Sequence, residues 1–241
     1  MELSKRLKSV ADMVTKGSKV ADIGCDHGYV SIYLVKEKLA MGVIAMDVNK
    51  GPLECARQNV KREALAQYIE LRLSDGLQAL SAGEVNSIVC AGMGGRLVVK
   101  ILSEGKEILS QVEELILQPQ SEIHLVRNFL YDNGFEIVQE NMVLDEGKYY
   151  QMMRAVKAVR KQNAQMQAGD EKNALTKAEA KYGPCLLRNH HPVLKEFLLL
   201  EKKKYEGILT ELEKTNPDKT GELREKCLLI EEALAGYAYE V

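Results

Sequence analysis

Short apolar stretches alternate with helix-like segments over the first 160 residues of the chain. Strand-like stretches lie at residues 19–24, 42–47, 69–73, 85–90 and 115–117, and two more, 135–144 and 149–158, flank a turn at 145–147. Helix-like segments lie at residues 3–14, at 28–39 and from Asn49 to about residue 65, with Pro52 in the first turn of the last one. This alternation predicts an α/β fold whose sheet is mostly parallel, has an antiparallel last strand and is covered by helices on both faces.

The C-terminal part of the chain has a different pattern. Residues 162–173 are polar and predict a linker, so we expect one domain over residues 1–160 and a helical one over 161–241. Apolar residues recur at steps of three and four over 194–212 and 223–237, on either side of a turn at 216–221. This pattern is typical of an antiparallel helical hairpin that resembles a coiled coil. Two helices packed separately on the main domain would produce the same spacing.

Several protein classes are disfavoured by composition. The chain has no run of 18 apolar residues, and its first seven residues lack the apolar core of a secretory signal, so we expect no membrane span and no leader. The five cysteines are widely spaced and include no CxxC pair, which argues against a disulfide framework and a structural zinc site. His190 and His191 precede Pro192 and indicate a helix start, so we expect no metal. A reducing cytoplasm is the expected location.

The formal net charge of −2 does not by itself indicate a nucleic-acid partner. Positive charge is nevertheless concentrated in two stretches, which either contact phosphate groups or form ordinary solvated faces. The basic residues of these stretches are Lys5, Arg6, Lys8, Lys16 and Lys19 near the start, and Lys148, Arg154, Lys157, Arg160 and Lys161 further along.

The turn after the first strand reads Asp22-Ile23-Gly24-Cys25-Asp26-His27-Gly28. Ligands of open parallel sheets bind at the carboxyl ends of the strands, and Gly24 and Gly28 allow the tight turn that such a site requires. Asp26 stands where the dinucleotide fingerprint requires glycine, and its carboxylate would repel a pyrophosphate. An acidic loop favours a cationic ligand instead. S-adenosylmethionine, which carries an ammonium and a sulfonium, meets that requirement.

Acidic residues also follow the second and third strands. Asp47, followed by Val48, is placed to accept hydrogen bonds from both hydroxyls of an adenosine ribose. Ser74, Asp75 and Gly76 come after the third strand, where a carboxylate and backbone N–H groups can read an adenine edge. Each is a common turn residue by itself. Together with Asp22, Gly24 and Gly28 they predict a nucleoside-binding site.

The fourth strand leads into Gly92-Met93-Gly94-Gly95-Arg96, and the fifth into Gln118-Pro119-Gln120-Ser121. Three glycines in four positions either leave bare backbone facing a flat reactant or form a plain strand-to-helix turn. If this backbone faces a reactant, Gly92 and Met93 contact the S-adenosylmethionine ligand, and Gly92 also contacts the reacting centre. Gly94, Gly95, Arg96 and Gln118 then contact the substrate, and the polar groups of the Gln118-Pro119-Gln120-Ser121 segment can meet a base edge.

These motifs, together with Tyr182-Gly183-Pro184, resemble those of the bacterial tRNA adenine-N1 methyltransferases that act at adenosine 22, the TrmK type. The resemblance covers nearly the whole chain, and the Gly-Met-Gly-Gly element followed by Leu-Gln-Pro-Gln is its most specific part. It implies a Rossmann-like methyltransferase domain, S-adenosylmethionine as the donor, tRNA as the partner, and a coiled-coil-like tail that helps to hold tRNA. The chain lacks the Asp/Asn-Pro-Pro-aromatic run of many adenine-N6 enzymes, which disfavours N6 chemistry.

Methyl transfer to N1 of adenine needs alignment more than a base, because the N1 lone pair is free at neutral pH. Asp26 either stabilises the positive charge that grows on the base or holds the ammonium of the donor. Tyr29 either stacks on an extruded base or packs as an ordinary helix residue, and His27 can hydrogen-bond the base or a phosphate. Phosphate contacts are expected from Lys5, Arg6 and Arg154, with the protein acting as a monomer or a weak dimer.

Two other functions fit the same residues. A small-molecule methyltransferase would use the helical hairpin to dimerise, and the overall acidity of the chain favours that interpretation. A nucleoside-binding scaffold without enzymatic activity would use the hairpin as its active part and would transfer no methyl group.

Overall fold

The computed structural model describes residues 3–158 and 174–239. The chain divides into two compact units, Met1–Asn163 and Ala164–Val241. The domain boundary expected between residues 160 and 161 and the linker expected at 162–173 lie outside the described residues, as do Arg160 and Lys161.

The first unit is an α/β layer structure. Its described residues form one seven-stranded sheet in the order β3-β2-β1-β4-β5-β7-β6. β7 runs antiparallel to both of its neighbours, and the other described pairs are parallel. The strands are β1 (Ser18–Ile23), β2 (Ala40–Asp47), β3 (Ile69–Leu73), β4 (Ser87–Gly94), β5 (Glu114–Ser121), β6 (Phe135–Asp145) and β7 (Lys148–Lys157).

Helices cover both faces of this sheet, and each face buries its own apolar cluster. One cluster packs strand residues such as Ile88 and Leu117 with Val98 and Leu130, whereas the other packs Val20 with helix residues such as Leu34. The helices are α1 (Lys5–Ala11), α2 (Tyr29–Lys36), α3 (Lys50–Arg62), α4 (Gly95–Glu104), α5 (Lys106–Gln111) and α6 (Ile123–Asp132). The predicted architecture, including the antiparallel last strand, is confirmed.

Two strands are longer than the sequence indicated. β4 continues past Cys90 to Gly94, and β5 continues past Leu117 to Ser121, because their pairing extends through Met93↔Pro119 and Gly94↔Ser121 with two register shifts. The glycine motif and the Gln-Pro-Gln motif were expected to follow their strands, and the structure instead includes most of both in the strands. They form the irregular ends of two paired strands, where a β-bulge redirects side chains.

The second unit is helical in its described part. α9 (Pro192–Thr215) and α10 (Gly221–Ala235) pack against each other, joined by a turn that includes a 3₁₀ segment at Pro217–Lys219. Ion pairs join Lys202 to Glu231 at 3.0 Å and Arg224 to Glu213 at 2.8 Å.

This pairing confirms the helical hairpin. Two short helices, α7 (Lys177–Tyr182) and α8 (Pro184–Arg188), precede it and were not predicted. None of the described helices has the length and apolar character that crossing a bilayer requires.

Candidate functional site

A cavity of about 490 Å³ opens at the carboxyl ends of β1, β2 and β4, within the size range of small-molecule sites. Residues predicted to bind the donor or act in catalysis make up much of its wall. Those that line it are Asp22, Gly24, Asp26, His27, Tyr29, Asp47, Val48, Ser74, Asp75, Gly76, Gly92 and Met93, together with Arg6 from the predicted substrate set.

The loop after β1 is held in place from two sides. The backbone N–H groups of Gly24 and Cys25 both donate to the carbonyl of Met46 in β2, at 2.8 and 2.9 Å. The side-chain amide of Asn59 in α3 donates to the His27 carbonyl at 2.9 Å. The loop therefore has a fixed shape that β2 and α3 jointly determine.

The glycines of this loop allow close packing at positive φ angles. Gly24 has φ +69°, and a Cβ there would occupy the place of the Met93 methyl group. Gly28 has φ +74°, and a Cβ there would lie 3.1 Å from the Ala56 Cβ. Gly28 thus allows the start of α2 to pack closely against α3. Gly24 and Met93 both line the cavity, whereas Gly28 does not.

Asp22 is a buried carboxylate on the floor of the cavity. It accepts a hydrogen bond from the Ser31 hydroxyl at 2.6 Å, and its residue surface is 4% exposed. Burial raises the pKa of the Asp22 carboxyl to about 6, with the charge of Asp47 adding to the effect and the Ser31 hydrogen bond opposing it. A ligand that brings a positive charge to this group stabilises its ionised form.

Asp47 ends β2 and uses its carboxylate to organise the neighbouring loops. Its Oδ2 accepts the backbone N–H of Asp26 at 3.2 Å, and its Oδ1 accepts that of Asn49 at 2.8 Å. Asn49 occupies the N-cap position of α3, as predicted, but makes no side-chain cap bond. Since a carboxylate has about four acceptor positions, both Asp47 oxygens can still accept from a ligand.

The segment after β3 presents backbone and one carboxylate. The Ser74 hydroxyl donates to the Gly76 carbonyl at 3.0 Å and accepts the Ala79 N–H at 3.1 Å, so it stabilises the turn. Asp75 is exposed at the cavity wall, and Gly76 has φ +57° with Ile101 packed against it. This arrangement leaves the Asp75 carboxylate for a ligand.

Asp26, His27 and Tyr29 lie at the open side of the cavity. The Asp26 side chain is 68% exposed, and its Oδ1 lies 3.5 Å from His27 Nε2. The His27 ring stacks on that of Tyr29, with centroids 5.6 Å apart. Tyr29 is 37% exposed, and so is not wholly taken up by packing on the sheet.

The glycine motif after β4 has two structural roles. Gly92 lines the cavity with φ +84°, and a Cβ there would meet side chains only at 3.6 and 3.7 Å. A Cβ on Gly95, by contrast, would lie 2.5 Å from the Ser121 carbonyl oxygen and 2.6 Å from that of Glu122. Gly95 is buried and Gly94 contacts Ser121, so these two glycines allow α4 to approach the end of β5. Among the three glycines, the bare backbone expected to face a reactant is confined to Gly92.

Arg6 reaches the cavity from α1. Its backbone N–H donates to the Asp145 carboxylate at 2.9 Å, its Nη1 donates to Gln118 Oε1 at 2.6 Å, and its guanidinium lies 5.3 Å from the centre of the Tyr150 ring. Gln118 is fully buried and also donates to the Pro119 carbonyl at 3.2 Å. Gln118 therefore positions the Arg6 side chain through this hydrogen bond. In the Gln118-Pro119-Gln120-Ser121 segment, the residue that lines the cavity is Gln120.

Three other predicted substrate residues lie away from the cavity lining. Arg154 donates to Glu114 at 2.7 Å and to the Thr15 hydroxyl at 2.7 Å, beside the first residue of β5. Its guanidinium thus lies near the amino-terminal end of β5, whereas the cavity lies at the carboxyl ends of the parallel strands. Arg96 is exposed on α4 and pairs with Glu122 at 2.6 Å, and Lys5 is exposed on α1.

Several lining residues had no role assigned from the sequence, and most of them are apolar residues that no chemical motif marks. Cys25 lay within the predicted loop but had no role assigned. Burial and the charges of Asp22 and Asp47 raise the pKa of its thiol, so it is not an activated nucleophile. The other lining residues without an assigned role are Leu7, Ile23, Val30, Asn49, Pro52, Ala91, Leu97 and Ile101, whereas Gln120 belongs to the segment expected to meet a base edge.

The charge balance of the cavity determines what it can bind. Four carboxylates line it, Asp22, Asp26, Asp47 and Asp75, against the guanidinium of Arg6. Such a cavity favours a cation that also carries hydroxyl groups, because the carboxylates can accept from both. The parts of the chain that the structure describes contain no group of three or more His, Cys, Asp or Glu residues arranged to hold a metal ion.

The sequence matches the family model of the methyltransferase domain over residues 3–153. It is 38% identical over 155 residues to the tRNA (adenine(22)-N(1))-methyltransferase of Bacillus subtilis, an alignment that covers 64% of this chain and 65% of that protein. The chain thus aligns with slightly less than two thirds of that relative's length.

Solved structures match over almost the entire chain. The crystal structure of the Bacillus subtilis m1A22 tRNA methyltransferase TrmK aligns with a TM-score of 0.82 and 31% identity, covering 97% of this chain and 99% of that one. A Streptococcus pneumoniae protein in complex with S-adenosyl-L-methionine aligns with a TM-score of 0.81 and 35% identity, covering 97% and 100%.

Proposed function

Because this chain belongs to the methyltransferase family and within it to the tRNA (m1A22) methyltransferases, we propose that it transfers a methyl group from S-adenosylmethionine to N1 of an adenine in tRNA. The observation that carries the proposal is the cavity with four carboxylates at the carboxyl ends of β1, β2 and β3. Its acidity suits a sulfonium donor and opposes a pyrophosphate.

The donor fits the residues present. Burial destabilises the ionised form of Asp22, and a ligand ammonium group would offset that cost. Asp47 has acceptor capacity left for ribose hydroxyls, and Asp75 with the adjoining backbone is placed for an adenine edge. Gly24 and Met93 pack against each other in the cavity wall, where a Cβ on residue 24 would clash with the Met93 side chain.

When bound, S-adenosylmethionine supplies a methyl group on a positively charged sulfur. The N1 lone pair of adenine forms the new bond to the methyl carbon while the carbon–sulfur bond breaks towards sulfur, so the positive charge moves to the base. No proton has to leave N1, and alignment supplies most of the rate. The exposed Asp26 carboxylate stabilises the charge that develops on the base.

The adenine must leave its stack to reach this cavity, because N1 lies on the Watson–Crick edge. Tyr29, stacked with His27 at the open side, offers an aromatic face to the extruded base. Arg6 lines the cavity, and the exposed Lys5 and Arg96 side chains extend the basic surface for phosphate contacts.

The helical unit contributes RNA contacts through α9, where the consecutive Lys203 and Lys204 are exposed. This unit acts together with the first one in a monomer or weak dimer. Its tRNA substrate would locate the protein in the cytoplasm.

The test is to incubate unmodified tRNA with the protein and radiolabelled S-adenosylmethionine, digest the RNA and identify the labelled nucleoside. We expect N1-methyladenosine at one position. In a parallel incubation with a cell extract, label in small molecules but in no RNA would favour a small-molecule methyltransferase, and no transfer in either incubation would refute the enzymatic proposal. Binding of bulk tRNA at two salt concentrations gives an independent measure of phosphate contacts, because such contacts weaken steeply with salt.

A further inference from the structure

The two glutamines at the end of β5 have opposite environments. Both ends of the Gln118 amide are occupied, by Arg6 Nη1 at 2.6 Å and by the Pro119 carbonyl at 3.2 Å, and the residue is fully buried. Gln120 is exposed to the cavity, and no residue in the described part of the chain hydrogen-bonds its side-chain amide. An amide with two free donors and a free acceptor is thus presented to the cavity.

The absence of a side chain at Gly92 leaves space next to the Gln120 amide. A Cβ on Gly92 would lie 3.7 Å from Gln120 Nε2 and 3.6 Å from Arg6 Nη1, so the absent side chain leaves a slot bordered by these two polar groups. The guanidinium of Arg6 is already held by Gln118 and by the Tyr150 ring. Arg6 can only donate further hydrogen bonds, so the group beside the slot that can both donate and accept is the Gln120 amide.

The chemistry of N1 methylation restricts how this amide can contact adenine. A donor placed on N1 would consume the lone pair that must attack the methyl group. The opposite, Hoogsteen edge presents the N6 amino group and the N7 acceptor, and a glutamine amide matches both at once. Guanine presents acceptors at both O6 and N7, so the same amide pairs poorly with it.

We propose that Gln120 determines specificity for adenine by hydrogen-bonding N6 and N7 of the target base above Gly92, which leaves N1 free for methylation. This inference rests on the proposed function. It assigns Gln120 a binding role that the neighbouring Gln118 does not have, and it makes Gln120 a residue that touches the substrate in addition to the donor-binding carboxylates.

The test pairs a variant with a base analogue. We would prepare tRNA with adenosine or 7-deazaadenosine at the methylated position, and protein with or without Gln120→Met, which is close to glutamine in volume but lacks the amide. Single-turnover methylation at saturating donor is measured for all four combinations. Loss of N7 makes the ring more electron-rich and does not reduce the nucleophilicity of N1, so a slower rate reports a lost contact.

We expect the natural protein to methylate the 7-deaza substrate about tenfold more slowly than adenosine, and Gln120→Met to methylate both substrates at the same reduced rate. Donor affinity measured by calorimetry should be unchanged in this variant. Gln111→Met, on the exposed surface of α5, is the matched control and should retain the natural rates and the natural discrimination.

Two results would overturn the inference while leaving the proposed function intact. In one, the natural protein methylates both substrates within twofold of each other. In the other, Gln120→Met slows both substrates and preserves their ratio, as a purely structural defect would. If the natural protein forms no N1-methyladenosine, the proposed function fails and the inference fails with it.

Discussion

The raised pKa of Asp22, together with its proposed role in holding the donor ammonium, predicts that donor affinity depends on pH. The carboxyl pKa moves from 3.8 to about 6, chiefly through burial, so in the free protein Asp22 becomes ionised near pH 6. A ligand ammonium binds the ionised form. With a pKa of about 6, roughly one Asp22 in eleven is ionised at pH 5 and most are at pH 7, so affinity for S-adenosylmethionine should rise about tenfold over this range.

Calorimetric titration with S-adenosylmethionine between pH 5 and pH 7 measures this effect. His27 also lines the cavity, so His27→Gln is the control, and we expect it to retain the pH dependence. Asp22→Asn should bind weakly at every pH. Ser31→Ala removes the hydrogen bond that favours ionisation and should move the midpoint to higher pH. A pH-independent affinity in the natural protein, or a midpoint unaffected by Ser31→Ala, would refute the reasoning.

The raised pKa of Asp22 also makes the stability of the ligand-free protein depend on pH. Because the folded-state pKa is above the unfolded value, Asp22 favours folding fully below about pH 4, and this contribution is lost as pH rises through about 6. A shift of about two pKa units corresponds to ~3 kcal/mol. Without ligand, the free energy of unfolding of Asp22→Asn should therefore increase relative to the natural protein between pH 4 and pH 7, as urea titrations would show.

Three further substitutions test other parts of the site. Asp47→Ala should weaken donor binding by about 100-fold, because two hydrogen bonds to a charged group are lost, and an unchanged calorimetric affinity would remove Asp47 from the site. Asp26→Asn should slow methyl transfer by about 10- to 100-fold with little change in donor affinity; if donor affinity falls instead, Asp26 holds the donor. Gly95→Ala should destabilise the protein by about 1–3 kcal/mol, since its Cβ would meet two backbone oxygens, whereas Gly51→Ala in α3 meets open space and should not. Equal urea midpoints for these two variants would contradict that account.

Much of the cavity lining was predictable because of the regularity of the fold. Asp22 and Asp47 are at or near the ends of strands that an apolar pattern reveals, and parallel strands bring such ends to one edge of the sheet. The glycines at 24 and 28 marked a turn that the structure confirms at positive φ angles. Local pattern and topology therefore agree for the carboxylates that line the cavity.

The part of the cavity wall formed by the ends of β4 and β5 was less predictable, because it depends on the pairing of these strands. Gln118 and Gln120 are two residues apart and look equivalent in sequence, yet one is buried under Arg6 and the other lines the cavity. Their difference depends on how far β5 extends and where its pairing with β4 shifts register. Similarly, Arg154 belongs to a basic stretch, but the pairing of β7 with β5 places it beside Glu114, which neutralises it.

The sequence by itself determined the alternating α/β architecture, the helical hairpin and the acidic residues at the strand ends. Each of these follows from periodicity or from a turn residue within a few positions along the chain. Tertiary structure decided that Arg6 reaches the cavity, that Gly95 is required for packing and that Gln120 is the free amide. These outcomes depend on contacts between segments up to about 140 residues apart, such as that of Arg6 with Asp145, which no local pattern encodes.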